Sequence, residues 1–143
     1  TALDVIEHLD DDRQALQEFL RVVKPSGVVV LTAPALMSLW SEWDVALHHR
    51  RRYTLPQFLQ LFDGLKVELI HASYINTLAF FPIFMLRQLR NLLGKQQAGQ
   101  RMEDWVPAKP INDILRGLFV FPALWRVRMP VGVSVFAVLR KQP

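Results

Sequence analysis

Apolar and polar positions along the chain fall into two periods, and their order predicts alternating strands and helices. Ala2, Leu3 and Val5 read as the tail of a buried strand. Asp11 can cap a helix, with Gln14 placed three residues later to reach back to it. Ala15, Leu16, Phe19, Leu20 and Val23 then share one helical face. Lys24-Pro25-Ser26-Gly27 stops that helix and turns the chain. Val28–Thr32 is rich in β-branched residues and almost wholly apolar, which suits a strand covered on both faces. Together these elements make a right-handed βαβ unit. Residues 33–53 show no clear period and mix aromatic with charged side chains.

Thr54 and Gln57 form a second capping box, and Leu55, Phe58, Leu59, Phe62 and Leu65 line the helix that follows. Gly64 stands near its end, where a left-handed residue is often needed. Val67–Ser73 and Val131–Leu139 read as two further strands, with Gly132 near the start of the last. Residues 74–130 between them are too long for a hairpin loop. They carry two apolar helical patterns, around Leu78–Leu93 and Ile111–Val127, joined by a polar stretch from Gly94 to Asp104. No internal repeat is present.

Composition narrows the classes. The chain has 143 residues, about one domain, with 51% apolar and 21% charged residues, so a sizeable core is expected rather than disorder. The absence of cysteine excludes disulfides, thiolate metal sites and cysteine nucleophiles. No apolar run approaches the ~18 residues of a membrane span, and no signal peptide opens the chain. A net charge of +4 and a pI near 9.9 favour anionic partners. A strand at the very start, with no initiator methionine, leads to the expectation of an N-terminal half outside this sequence and an unpaired strand edge where it would pair.

Leu3-Asp4-Val5-Ile6-Glu7-His8-Leu9, a helix, Lys24-Pro25-Ser26-Gly27 and an apolar strand resemble the second half of a class I S-adenosylmethionine-dependent methyltransferase of the type 11/12 kind. Pro34, Leu39-Trp40-Ser41, Asp44 and His49-Arg50-Arg51-Arg52-Tyr53-Thr54 are similar to a loop of one bacterial branch, as is the close Pro130-x-Gly132-x-Ser134 with Arg140-Lys141. The resemblance implies an α/β, Rossmann-like sheet carrying strand 4 (Ala2–Val5), strand 5 (Val28–Thr32), strand 6 (Val67–Ser73) and an antiparallel strand 7 (Val133–Leu139). The whole chain is then one partial domain: 1–73 holding strands 4 to 6, 74–130 a helical insertion or lid, and 131–143 the final strand. Ser26 replaces a usual glycine, and His48 stands where the branch often has one. The family's glycine-rich loop and the acid after strand 2 are absent from the sequence, so the chain alone is expected to be inactive.

By resemblance, Leu3, Asp4, Val5 and His8 lie against the cofactor S-adenosylmethionine, with Glu7 at the base of the acceptor pocket. Trp40 and Trp43 would wall that pocket, and Arg51, Arg52 and Tyr53 would engage the substrate. His49 is the candidate base, oriented by Asp44, because imidazole titrates in the range a hydroxyl acceptor needs. Asp4, Glu7 and His8 are close in sequence but make a weak metal signature, and no metal is expected. The arginines could instead pair with Asp10 to Asp12, and the tryptophans could simply pack. The full-length enzyme is expected to methylate a small or lipid-linked acceptor in the cytoplasm, without nucleic-acid partners. The arginine-flanked helices of 74–130 raise the prospect of peripheral membrane contact. The alternative is a membrane- or partner-binding module on a degenerate methyltransferase scaffold.

Overall fold

The computed structural model describes residues 1–93, 108–124 and 127–143, so the polar stretch Gly94–Asp104 lies outside the described residues. Four strands make one sheet: β1 (Ala2–Leu3), β2 (Val28–Pro34), β3 (Val67–Ile75) and β4 (Ser134–Lys141). Their spatial order is β1-β2-β4-β3. β1 and β2 run parallel, while β4 is antiparallel to both its neighbours. This is the 4-5-7-6 order with a reversed seventh strand that the resemblance implies.

The helices are α1 (Asp12–Val22), α2 (Glu42–Ala46), α3 (Leu55–Gln60), α4 (Thr77–Leu93) and α5 (Lys109–Leu124), with 3-10 turns at Ile6–His8 and Met37–Leu39. Asp11 caps α1 by accepting from the Gln14 amide at 2.8 Å. Thr54 and Gln57 close a capping box on α3. That helix ends earlier than its apolar pattern; Phe62 and Leu65 reach the core from the turn beyond it, where Gly64 has φ +75°. Helix α4 continues through Pro82.

Alternate residues of β2 (Val29, Leu31, Ala33) and β4 (Val135, Ala137, Leu139) form the core with Leu16 of α1 and Phe58 of α3. Both helices therefore cover the same face. In the described residues the other face of β2 is more open: Val30 and Thr32 are half-buried and Val28 is exposed, a departure from the doubly covered strand expected.

Two glycines are fixed by close approach. A Cβ on Gly27 would lie 2.6 Å from Val23 Cγ1 and 2.8 Å from the Lys24 carbonyl oxygen, so the tight turn needs glycine there, while Ser26 takes φ +61°. A Cβ on Gly132 would fall 2.1 Å from the Ile75 carbonyl oxygen. Here the segment before β4 crosses the end of β3, with Val133 N–H donating to the same oxygen at 3.1 Å. The last strand consequently starts at Ser134 rather than Val131.

Among the described residues no helix is long and apolar enough to cross a membrane.

Candidate active site

The carboxyl ends of β1 and β2 lie side by side, and the segments leaving them are stitched together. Asp4, at φ +53°, turns the chain out of β1. Its amide donates to the Thr32 carbonyl at 3.1 Å, and Thr32 Oγ1 donates to its carboxylate at 3.1 Å. Leu3 and Val5 on either side are exposed, giving an apolar surface at this sheet edge. Beyond β2, the chain from Ala35 to Tyr53 folds back, with Tyr53 N–H donating to the Pro34 carbonyl and Leu36 N–H to that of Tyr53, both at 2.9 Å. The Arg50 amide then donates to the Glu7 carbonyl at 2.9 Å, and Arg50 Nε to that of His8 at 2.9 Å. This brings residues 7–8 and 49–50 into one cluster.

Asp44 is the hub of the loop. Its carboxylate is buried and accepts from Arg52 Nε at 2.7 Å and Nη2 at 3.1 Å, from the Ser41 amide at 2.8 Å, and meets His49 Nδ1 at 2.9 Å. Burial alone would raise the Asp44 pKa, but the hydrogen bonds from Arg52 and His49 outweigh it and hold the carboxyl below its usual range. Arg52, itself buried, also donates to the Ala35 carbonyl at 3.0 Å. With Nδ1 facing Asp44, His49 keeps Nε2 for other partners. His48, just before it, has φ +57°, at the place where the resembling branch often has glycine.

The arginines and Tyr53 have structural partners. Arg50 pairs with Asp10. Arg51 bonds Asp12 at 3.0 Å and the Leu9 and Asp10 carbonyls at 3.1 and 2.9 Å. Tyr53 donates to Asp12 at 2.8 Å; burial and then that hydrogen bond push its pKa up. Arg51, Arg52 and Tyr53 thus tie the loop to α1 and to itself. Trp40, closing the Met37–Leu39 turn, and Trp43, in α2, are both half-buried.

Glu7 is the unusual group. Its side chain is 0% exposed, and neither carboxylate oxygen has a hydrogen-bond partner among the described residues. Burial pushes its pKa up to about 7, opposed by its own backbone amide and reinforced by Asp4. His8 Nε2 lies 3.8 Å from Glu7 Oε1, and the His8 and His49 rings meet edge-to-face at 4.8 Å between centroids. One potential ligand atom from each of Glu7, His8 and His49 lies within 4.8 Å of the others, so these residues could hold a metal ion. Sequence reasoning placed all three near the site but missed their convergence and the Thr32 contact to Asp4. No local pattern signals pairings between segments so far apart in the chain.

Residues 1–31 match the Methyltransferase domain family. No curated protein matches the chain. Among solved structures, the [4+2]-cyclase SpnF is similar in fold, with a TM-score of 0.51 and 17% identity over 99% of this chain and 48% of that one. At lower TM-scores stand a protein from Galdieria sulphuraria described as a sarcosine dimethylglycine methyltransferase (0.49, 16% identity, 98% of this chain and 51% of that one) and Haemonchus contortus phosphoethanolamine N-methyltransferase 2 in complex with S-adenosyl-L-methionine (0.47, 16% identity, 99% and 32%). The chain spans about half the length of the first of these structures. Residues 1–31 thus match a methyltransferase domain family, and the strand order with its one reversed strand belongs to a fold shared with the [4+2]-cyclase SpnF.

Proposed function

We propose that the full-length protein transfers a methyl group from S-adenosylmethionine to a small or lipid-linked acceptor, and that the loop after β2 holds that acceptor. The observation that carries this reading is the Asp44–His49 pair at the carboxyl end of the sheet: a buried, arginine-anchored carboxylate fixes an imidazole beside the segment that leaves β1. In open α/β sheets ligands bind beyond these strand ends.

The residues present fit one wall of a cofactor site. Leu3 and Val5 offer exposed apolar surface, and Asp4 presents a carboxylate held in place by Thr32. S-adenosylmethionine supplies, when bound, a methyl carbon on a sulfonium sulfur. The chain's own contribution is positioning, the main source of catalysis in an in-line displacement. Asp44 orients His49, and His49 activates the acceptor. Arg51, Arg52 and Tyr53 keep the loop in place through Asp12 and Asp44 rather than binding an anionic substrate. Trp40 and Trp43 supply the apolar side of the acceptor pocket.

The test is transfer of tritium from methyl-labelled S-adenosylmethionine by the full-length protein into small-molecule and lipid fractions of a cell extract. His49→Ala is expected to lower transfer by about 10²-fold or more while leaving cofactor affinity within twofold. Transfer by the variant at the wild-type rate would remove His49 from this role.

The lipid side of the reading rests on α4. Leu78, Phe81, Met85 and Leu89 recur at helical spacing, and each is more than half exposed. Liposome flotation with anionic vesicles checks it: the full-length protein should float, and Phe81→Glu with Met85→Glu should abolish flotation.

A further inference from the structure

We infer that the acceptor is a membrane-resident lipid, and that its hydrocarbon part reaches the site from an anionic bilayer along an apolar rim. That rim is made by α4 and by Met37, Val45 and Leu47 of the loop after β2. The inference rests on the proposed methyl transfer and narrows it from two acceptor classes to one.

The first observation is the polarity of the loop. In α2 the buried side chain is Asp44, at 1% exposed, and its neighbour Val45 is 62% exposed. A helix facing water has the opposite arrangement, with the apolar side chain inside. The inversion is held in place, because Asp44 closes the capping box with Ser41 and pairs with Arg52. Leu47, two residues before His49, is also exposed, as is Met37. The Met37–Leu39 turn packs against α4. The exposed apolar residues of the loop and those of α4 (Leu78, Phe81, Met85 and Leu89) therefore belong to neighbouring elements. Apolar surface gathered in this way marks a place of interaction.

The second observation is charge. Residues 74–130 hold eight Lys or Arg against three Asp or Glu, and the rest of the chain holds nine against ten. The basic excess thus lies wholly in the segment that carries α4 and α5. Lys109, Arg116 and Arg128 are exposed there, and Ile111 and Ile114 of α5 are exposed with them. Asp113 is the one carboxylate among the described residues of this segment. Apolar side chains interleaved with cations suit the headgroup region of an anionic bilayer. A second copy of the chain would bring the same positive charge against itself.

The third observation is where the rim ends. His49, held at Nδ1 by Asp44, follows Leu47 almost directly in the chain. A lipid whose chain lies along Val45 and Leu47 therefore presents its polar head beside His49. A water-soluble acceptor gives these exposed apolar side chains nothing to do.

The binding experiment uses the full-length protein and vesicles of equal parts phosphatidylglycerol and phosphatidylcholine, with bromine on the acyl chains to quench indole emission. Val45→Trp places a reporter on the rim. Val22→Trp places one at an exposed position of α1, before the turn that leads into the opposite, amino end of β2. The emission that each variant adds to the wild type is compared on brominated and unbrominated vesicles. Val45→Trp is expected to lose at least about half of it, and Val22→Trp almost none. Equal emission of Val45→Trp on both vesicles overturns the inference. The rim is then covered by a second copy, seen as a dimer in sedimentation, or by another part of the chain.

The chemical experiment supplies methyl-labelled S-adenosylmethionine with the lipid fraction of a cell extract in such vesicles, unbrominated, and separately with the water-soluble fraction. Label is expected in a chloroform-soluble product. Val45→Glu with Leu47→Glu should lower it at least about tenfold, while the protein still floats through α4. If that variant fails to fold, the quenching of Val45→Trp decides the matter. Label confined to a water-soluble product overturns the inference and leaves the proposed function standing. Label in neither fraction, with folded protein, overturns the proposed function and the inference with it.

Discussion

Asp44 shows how much one side chain can organise. Its carboxylate is buried, yet both oxygens are met by donors, and a guanidinium sits against it in a bidentate pair. Removing one partner of such a buried pair typically costs about 3–5 kcal/mol, because the other charge is left uncompensated. Asp44→Asn in the full-length protein should lose stability on that scale in urea denaturation at pH 7. The pH dependence has a definite sign. Because the folded carboxyl titrates below its ordinary value of 3.8, the stability it contributes is present above that pH and is lost as the pH falls further. Wild-type protein should therefore lose stability more steeply than Asp44→Asn as the pH falls below 3.8. Equal slopes would mean that the Arg52 and His49 contacts do not hold the carboxylate. Ser26 makes a gentler test of strain. At φ +61° a non-glycine residue costs roughly 1 kcal/mol, so Ser26→Gly should raise the free energy of unfolding by about that amount. A loss of stability would show that the serine side chain contributes more than its backbone costs.

At the scale of elements, the joint between β3 and β4 is the most constrained. Gly132 passes so close to Ile75 that any side chain must push backbone away from backbone. Gly132→Ala should destabilise by about 2–3 kcal/mol or more, as strained overpacking does, and measured unfolding in urea checks it. The same joint explains what the sequence could and could not reveal. Caps at Asp11 and Thr54, the Lys24–Gly27 turn and the strand periods are local signals, and α1, α3 and β2 start where those signals lie, although α3 ends before its apolar pattern does. The last strand begins three residues later than its apolar run, because residues 131–133 are committed to crossing β3, a tertiary event with no local mark. The loop 33–53 has no period because its order comes from Asp44 and the arginines rather than from a buried stripe. Candidate residues were legible there as types, whereas their pairings were not. Arg51 and Arg52 read in sequence as residues that would engage the substrate, and in the fold they pair with Asp12 and Asp44.

At the scale of the whole molecule, fold and function separate. A [4+2]-cyclase shares this architecture at 17% identity, so the sheet alone does not fix the reaction. What the sheet does fix is the place where chemistry can occur: the carboxyl ends of β1 and β2, where Leu3, Asp4, Glu7, His8 and His49 gather. The cofactor's wall is proposed at Leu3 and Val5, and Leu3 is exposed enough to accept a larger side chain without disturbing the core. The decisive measurement is calorimetric titration of S-adenosylhomocysteine into the full-length protein and its Leu3→Trp variant, with circular dichroism confirming that both are folded. The account predicts saturable binding at one site per chain, weakened at least tenfold by the indole. A folded wild-type protein that takes up no ligand, or a variant that binds as the wild type does, would contradict it.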